Sequence, residues 1–288
     1  MSGAPEWIEH RLDVGDHRMA WYECGAGPTV VFLHGSYDHL LYRPMAGLFV
    51  DRCRCVLYDQ RGAGNSTLPD LTDDALHLDK ALADIERLRE HLGLERLSIA
   101  GHSWGATLGL FYGGKFPERV ERLALLCMGP ISDEMSRVYH ANVLRLMRPA
   151  DRERWAEVNG HYRAAWRSGG VPRDIDEANI RAWSPVMFYF PEHAERFVAE
   201  YLAAGGWRRH APGLTGFRRD DVLVGADRIT APVLVLYGYQ DYESITQAYA
   251  LKARIPHARL VFLNECGHMV WRDQPAALVK ELGAFLGD

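Results

Sequence analysis

Leu97-Ser98-Ile99-Ala100-Gly101-His102-Ser103-Trp104-Gly105-Ala106-Thr107-Leu108-Gly109-Leu110 joins one short apolar run to a second through Gly-x-Ser-x-Gly. A strand that turns abruptly into a helix raises the side chain of the residue at the bend. Only glycine on either side lets strand and helix pass so closely. The stretch therefore predicts a strand up to about His102, an exposed Ser103 at the bend and a helix from Trp104. A plain turn in which Ser103 only caps the helix is the competing reading. The strand before the motif and the helix after it favour the nucleophile-bearing bend.

Outward from this stretch, strand and helix patterns alternate. Upstream, Thr29-Val30-Val31-Phe32-Leu33 and Cys53-Arg54-Cys55-Val56-Leu57-Tyr58 are short runs of the kind buried in a parallel sheet. Leu78, Leu82, Ile85, Leu88 and Leu92 recur at helical spacing and stop at Gly93. Two alternating segments, Ile8 to Val14 and Arg18 to Cys24, flank Gly15-Asp16 and predict an edge hairpin. Downstream, Val120 to Met128, Ala231 to Tyr237 and Arg259 to Leu263 read as strands, with helices at Thr246 to Arg254 and Pro275 to Leu286. The expected architecture is α/β, a mostly parallel central sheet with helices on both faces.

Between about Ile131 and Gly225 the strand runs stop and helical periodicity appears in patches. An inserted helical lid over Ser103 is the expectation, with 1–130 and 226–288 forming the core domain. The segment holds fourteen Arg against thirteen Asp and Glu, which argues against an acidic funnel. Trp155, Trp166, Trp183, Tyr189, Phe190 and Trp207 are candidates for an apolar wall.

The 288 residues are 48% hydrophobic with a net charge of -5, so a basic face for nucleic acid is not expected. The start, Met1-Ser2-Gly3-Ala4-Pro5-Glu6-Trp7, has no secretory pattern, and no run approaches the ~18 apolar residues of a membrane span. A cytoplasmic protein acting on a small molecule, away from membranes, is expected. The oligomeric state is not legible. Cys24, Cys53, Cys55, Cys127 and Cys266 follow no zinc or disulfide pattern and read as reduced thiols. No His-Glu-x-x-His or grouped ligands point to a metal, and no cofactor is expected.

Ser103, Asp241 and His268 each follow a predicted parallel strand. Such strand ends open on one rim, so the three can meet. A serine hydroxyl needs a base to take its proton, which His268 can supply, and Asp241 can orient and stabilise the imidazole. Asp59 and Glu243 are rivals to Asp241, and Asp59 reads better as a loop organiser. The backbone N–H groups of Trp104 and Ser36, with Gly35 as the alternative, are candidates for an oxyanion hole. Tyr37, Asp38 and His102 beside these loops, and Tyr189 and Glu192 in the insertion, are candidates for substrate contact.

The chain resembles the α/β-hydrolase superfamily over nearly its whole length, and within it the proline iminopeptidase group. The resemblance is carried by Tyr58-Asp59-Gln60-Arg61-Gly62-Ala63-Gly64-Asn65-Ser66, by Asp84 to Gly93, and by Gly101-His102-Ser103-Trp104-Gly105 through Phe116-Pro117-Glu118-Arg119-Val120. It implies nucleophile, acid and base roles for Ser103, Asp241 and His268. It also implies an oxyanion hole at Ser36 and Trp104. Two features depart from the group. His34-Gly35-Ser36-Tyr37-Asp38 stands where members that release N-terminal proline carry His-Gly-Gly-Pro-Gly. Glu157, Glu192, Glu195 and Glu200 lack the Trp-Glu context in which those members present glutamates to the substrate amine. The expected activity is hydrolysis of an ester, lactone or amide through an acyl-enzyme. The alternatives are an aminopeptidase, carbon–carbon bond hydrolysis or a lyase step on the same triad, and a non-catalytic binding protein on the same fold.

Overall fold

The computed structural model describes residues 5–167, 171–205 and 213–287. Its centre is an eight-stranded sheet: β1 (Ile8–Asp13), β2 (Arg18–Cys24), β3 (Thr29–Leu33), β4 (Arg54–Tyr58), β5 (Leu97–His102), β6 (Val120–Leu126), β7 (Val233–Gly238) and β8 (Arg259–Leu263). The strand order is β1-β2-β4-β3-β5-β6-β7-β8. β1 and β2 form the expected antiparallel hairpin at one edge, and β2 meets β4 antiparallel. From β4 to β8 every pairing is parallel.

The continuous apolar runs make these strands central, because alternate residues feed two cores. In β3, Val30 and Phe32 join the core on one face while Val31 and Leu33 join the other. On the first face pack α1 (His39–Ala46) and α10 (Pro275–Leu286); on the second pack α2 (Leu78–His91), α3 (Trp104–Lys115) and α8 (Thr246–Arg254). Helix α2 stops where the sequence predicts, with Leu92 as its cap and Gly93 at φ +68°.

Between β6 and β7 lie α4 (Asp133–Leu146), α5 (Pro149–Arg167), α6 (Arg173–Trp183) and α7 (Pro191–Ala203). Val143, Met147, Ile180, Phe197 and Tyr201 of this insertion share a core with Tyr37, Tyr242 and Met269 from the sheet's loops. The short helix α9 (Val270–Asp273), directly after His268, is not anticipated by the periodicity. Among the described residues no helix is long and apolar enough to cross a membrane.

The parallel strands end in register. Leu33 pairs Gly101, His102 pairs Leu126, Leu126 pairs Leu236 and Gly238 pairs Leu263. The loops after β3, β5, β6, β7 and β8 therefore leave the sheet along one rim.

Candidate active site

Ser103 sits between β5 and α3 at φ 54°, ψ -122°, a backbone that non-glycine residues rarely adopt. Its neighbours explain how it is held there. A Cβ on Gly101 would collide with the Gly105 carbonyl, and one on Gly105 would collide with the carbonyls of Leu33 and His34. The Ser103 N–H donates to Leu126 O at 2.9 Å, and its carbonyl accepts from Ala106 and Thr107 at 3.0 and 3.2 Å. Bonded on both sides by backbone, the residue cannot relax, and its side chain faces a cavity of about 590 Å³.

His268 lines the same cavity. Its Nδ1 lies 3.0 and 3.1 Å from the two Asp241 oxygens, and both side chains are buried. With Nδ1–H donating to the carboxylate, Nε2 is the nitrogen left to accept a proton. Among the described residues, no hydrogen bond yet joins Ser103 to His268. Such contacts often tighten only when substrate is bound. Tyr242 stacks on the imidazole, with centroids 4.4 Å apart and planes at 28°.

His268 is held from three directions. Its N–H donates to Met187 O in the insertion at 2.8 Å. Its carbonyl accepts from His102 Nε2 at 2.8 Å, while Tyr42 OH meets His102 Nδ1 at 3.0 Å. Burial and the neighbouring His268 keep His102 well below the usual histidine range, so it is neutral with its proton on Nε2. Finally, Asp273 accepts from Gly267 N and Tyr189 N, each at 2.8 Å, and its other oxygen meets His193 Nδ1 at 2.9 Å.

On the opposite side, the loop after β3 is tied to the loop after β4. Gln60 N–H donates to His34 Nε2 at 2.9 Å, Gln60 Nε2 donates to His34 O at 2.6 Å, and Gln60 Oε1 accepts from Trp104 Nε1 at 3.0 Å. Burial lowers His34 to about 4, so it is neutral and can accept the Gln60 N–H. These bonds hold Ser36 beside the start of α3. Among the described residues neither the Ser36 nor the Trp104 backbone N–H donates to a protein acceptor. Gly35 has no room for a side chain, since a Cβ would collide with Tyr42 OH and lie 3.1 Å from Ser103 Cβ.

Asp59 is the loop organiser the sequence suggests. It accepts from His39 N at 3.0 Å, His39 Nδ1 at 2.7 Å and Asn65 N at 2.8 Å. Burial would raise its carboxyl, but these bonds and the charge of His39 hold it below the usual carboxylate range. Arg61 next to it grips Asp84 of α2 with two bonds of 2.9 Å.

Not every candidate contact reaches the cavity. Ser36, Tyr37, Ser103, Trp104, His102 and His268 line it. His102 does so with both ring nitrogens engaged, which makes it a support for His268 rather than a hand for substrate. Asp38 caps α1 by accepting from Leu40 N and does not line the cavity. Tyr189, just before α7, and Glu192, in its first turn, are exposed and lie outside the lining; the buried face of α7 is turned toward Tyr37 and the core. Of the aromatic wall, Trp155 and Trp183 line the cavity and Phe190 does not. Trp207 and the side chain of Trp166 lie outside the described residues.

Sequence reading misses Tyr139, Asn179, Arg219 and Tyr242 as lining residues and treats Glu243 only as a rival to Asp241. Asn179 Oδ1 is buried with no hydrogen-bond partner. Only the place of Tyr242 and Glu243 just after Asp241 could have signalled a role.

Two clusters, His102–Cys127–His268 and Asp38–His39–Asp59, bring ligand-type atoms within 4.8 Å of one another. In both, most of those atoms already hold protein hydrogen bonds. Burial, then the charge of Asp241, keeps the Cys127 thiol well above its usual range, so it is un-ionised beneath the histidine.

Known proteins share this fold and its sequence features. A family model described as alpha/beta hydrolase fold matches residues 28–273. A proline iminopeptidase of Neisseria meningitidis serogroup B is 28% identical over 300 aligned positions, covering 94% of this chain and 93% of the relative. A cis-3-alkyl-4-alkyloxetan-2-one decarboxylase of Shewanella oneidensis is 23% identical, covering 96% and 87%. The crystal structure of Mycobacterium smegmatis proline iminopeptidase superimposes with a TM-score of 0.70 at 23% identity, over 97% of each chain.

Proposed function

The chain belongs to the α/β-hydrolase fold family and is a hydrolase; on that premise we propose that Ser103, His268 and Asp241 form a catalytic triad that cleaves an ester, lactone or amide of a small, partly apolar molecule. In this reading His268 Nε2 takes the Ser103 hydroxyl proton as Oγ bonds to the substrate carbonyl carbon. The bond to the leaving group then breaks, and the leaving group receives that proton. The Ser36 and Trp104 N–H groups stabilise the negative oxygen of the tetrahedral intermediate. Water, deprotonated by the same imidazole, releases the acyl group and restores Ser103. Residues 131–225 serve as the lid that encloses the substrate.

The observation that carries the reading is a strained serine sharing one cavity with a histidine whose far nitrogen is held by a buried carboxylate. A fluorophosphonate probe is expected to label wild type on the peptide containing Ser103 and to leave Ser103→Ala unlabelled. Absence of label on folded wild type rejects the triad.

A second reading, release of an N-terminal residue, is favoured by the relatives named proline iminopeptidase. Against it, Glu157, Glu192, Glu195 and Glu200 all lie outside the cavity lining. It predicts faster turnover of L-prolyl-p-nitroanilide than of p-nitrophenyl esters, and we expect the reverse.

A further inference from the structure

One acidic side chain lines the cavity among the described residues, and the triad does not use it. Glu243 is 3% exposed and lies two residues beyond Asp241. Its Oε2 accepts from Gln247 Nε2 at 3.1 Å, and the Gln247 Oε1 accepts from Ile131 N at 2.8 Å, where the chain enters the insertion. Its backbone N–H donates to Asp241 Oδ1 at 2.9 Å.

No Lys, Arg or His of the described residues pairs with Glu243 within 4.0 Å. A carboxylate as little exposed as this, with no paired cation and beside a second carboxylate, is strongly disfavoured. Of the two neighbouring acids, Asp241 is the one bonded to the imidazole, so the proton belongs on Glu243. Burial, then the charge of Asp241, accordingly raise the Glu243 carboxyl well above its usual range; Gln247 and the more distant Arg219 act the other way but do not prevail. Among the described residues, the ionisable groups around it are Asp241 on its own loop, Arg219 from the segment before β7, and the Tyr237 and Tyr242 phenols, both held protonated by burial.

We propose that Glu243 is a specificity-determining residue that works as the neutral acid, donating its carboxyl hydrogen to an oxygen acceptor on the substrate separate from the scissile bond. The site then selects neutral, carbonyl-bearing acyl groups over those presenting an ammonium ion. An ionised glutamate in the same place would select the opposite way. The proposal rests on the hydrolase reading above for its assay and on Glu243 alone for its outcome.

The test compares p-nitrophenyl esters of 3-oxobutanoic, 4-oxopentanoic and 5-oxohexanoic acids with their unsubstituted and amino-substituted counterparts. At pH 7, at least one oxo ester is expected to exceed its unsubstituted counterpart in kcat/KM by about tenfold or more. That ratio falls as pH rises and Glu243 ionises. Glu243→Gln, which keeps an N–H donor, retains the preference and loses its pH dependence, whereas Glu243→Leu brings the ratio near one. Should Glu243→Leu fail to fold, the wild-type and Glu243→Gln pH series still decide. Equal rates for all three pairs in wild type overturn the proposal. So does a preference for an amino ester that Glu243→Gln abolishes. Calorimetric binding of the matching methyl esters to Ser103→Ala requires no turnover. Oxo selectivity there without fluorophosphonate labelling of wild type removes the triad and supports the role of Glu243, and equal affinities overturn that role.

Discussion

At the residue scale, the site depends on atoms that are missing as much as on those present. Gly105 has no side chain, so α3 can start directly against the end of β3; a methyl group there would collide with the carbonyls of Leu33 and His34. Those carbonyls belong to the strand leading into the Gly35–Ser36 turn, so the collision would push apart the two loops that carry the candidate N–H donors. Gly105→Ala is expected to cost about 3 kcal/mol or more of stability, at the upper end of single-substitution effects. Urea unfolding measures this, and a loss under about 1 kcal/mol would show that the approach of α3 to β3 is less constrained than the backbone contacts imply. Gly93, by contrast, is at positive φ and a Cβ there would meet nothing within 4 Å, so the requirement is conformational alone.

At the element scale, the helical insertion and the His268 loop are tied together by hydrogen bonds. Met187 O accepts from both His268 N and Met269 N, and Asp273 joins Gly267 N to Tyr189 N through a single oxygen. Asp273 is therefore a positioning residue for His268. In Asp273→Asn, one carboxylate oxygen that accepts two N–H groups becomes either an amide oxygen that has lost charge or an NH2 facing donors. Stability should fall by about 1–3 kcal/mol. Ester turnover should show a lower kcat with little change in KM, because neither Asp273 nor the residues whose N–H groups it holds, Gly267 and Tyr189, line the cavity. Fluorophosphonate labelling should slow in proportion to kcat. A purely structural role would lower the active fraction without slowing labelling of the folded molecules.

At the scale of the whole molecule, two buried neutral histidines link the site to stability against acid. His34 accepts a backbone N–H and is lowered to about 4 by burial, and burial with the neighbouring His268 holds His102 well below the usual histidine range. Both titrate near 6.5 when unfolded, so above that pH neither folded nor unfolded form takes up the proton. As pH falls below it the unfolded chain gains protons that the native fold refuses, and stability is lost until the folded values are reached. For His34 alone the loss between about pH 6.5 and 4 is on the order of 3 kcal/mol. His34→Gln should flatten the dependence of the urea midpoint on pH over that window. An unchanged slope would show that His34 is not the source.

The alternation of strands and helices, the bend at Ser103 and the positions of Asp241 and His268 after β7 and β8 were all legible in the sequence, because each is a local pattern of apolar runs and turn residues. Asp59 as a loop organiser was legible for the same reason: its glycine-rich loop follows a strand. The candidates Tyr189, Glu192 and Asp38 failed as cavity contacts, and Glu243 and Asn179 went unread, because facing a cavity depends on how the insertion packs against loops more than 100 positions away. Chain-local chemistry determined which segments form the sheet and which residues end on its rim. Tertiary packing alone decided which side chains of that rim and insertion lost water together; burial without a paired cation is what turns an ordinary Glu into a neutral acid, and burial with both ring nitrogens bonded is what turns an ordinary His into a fixed support.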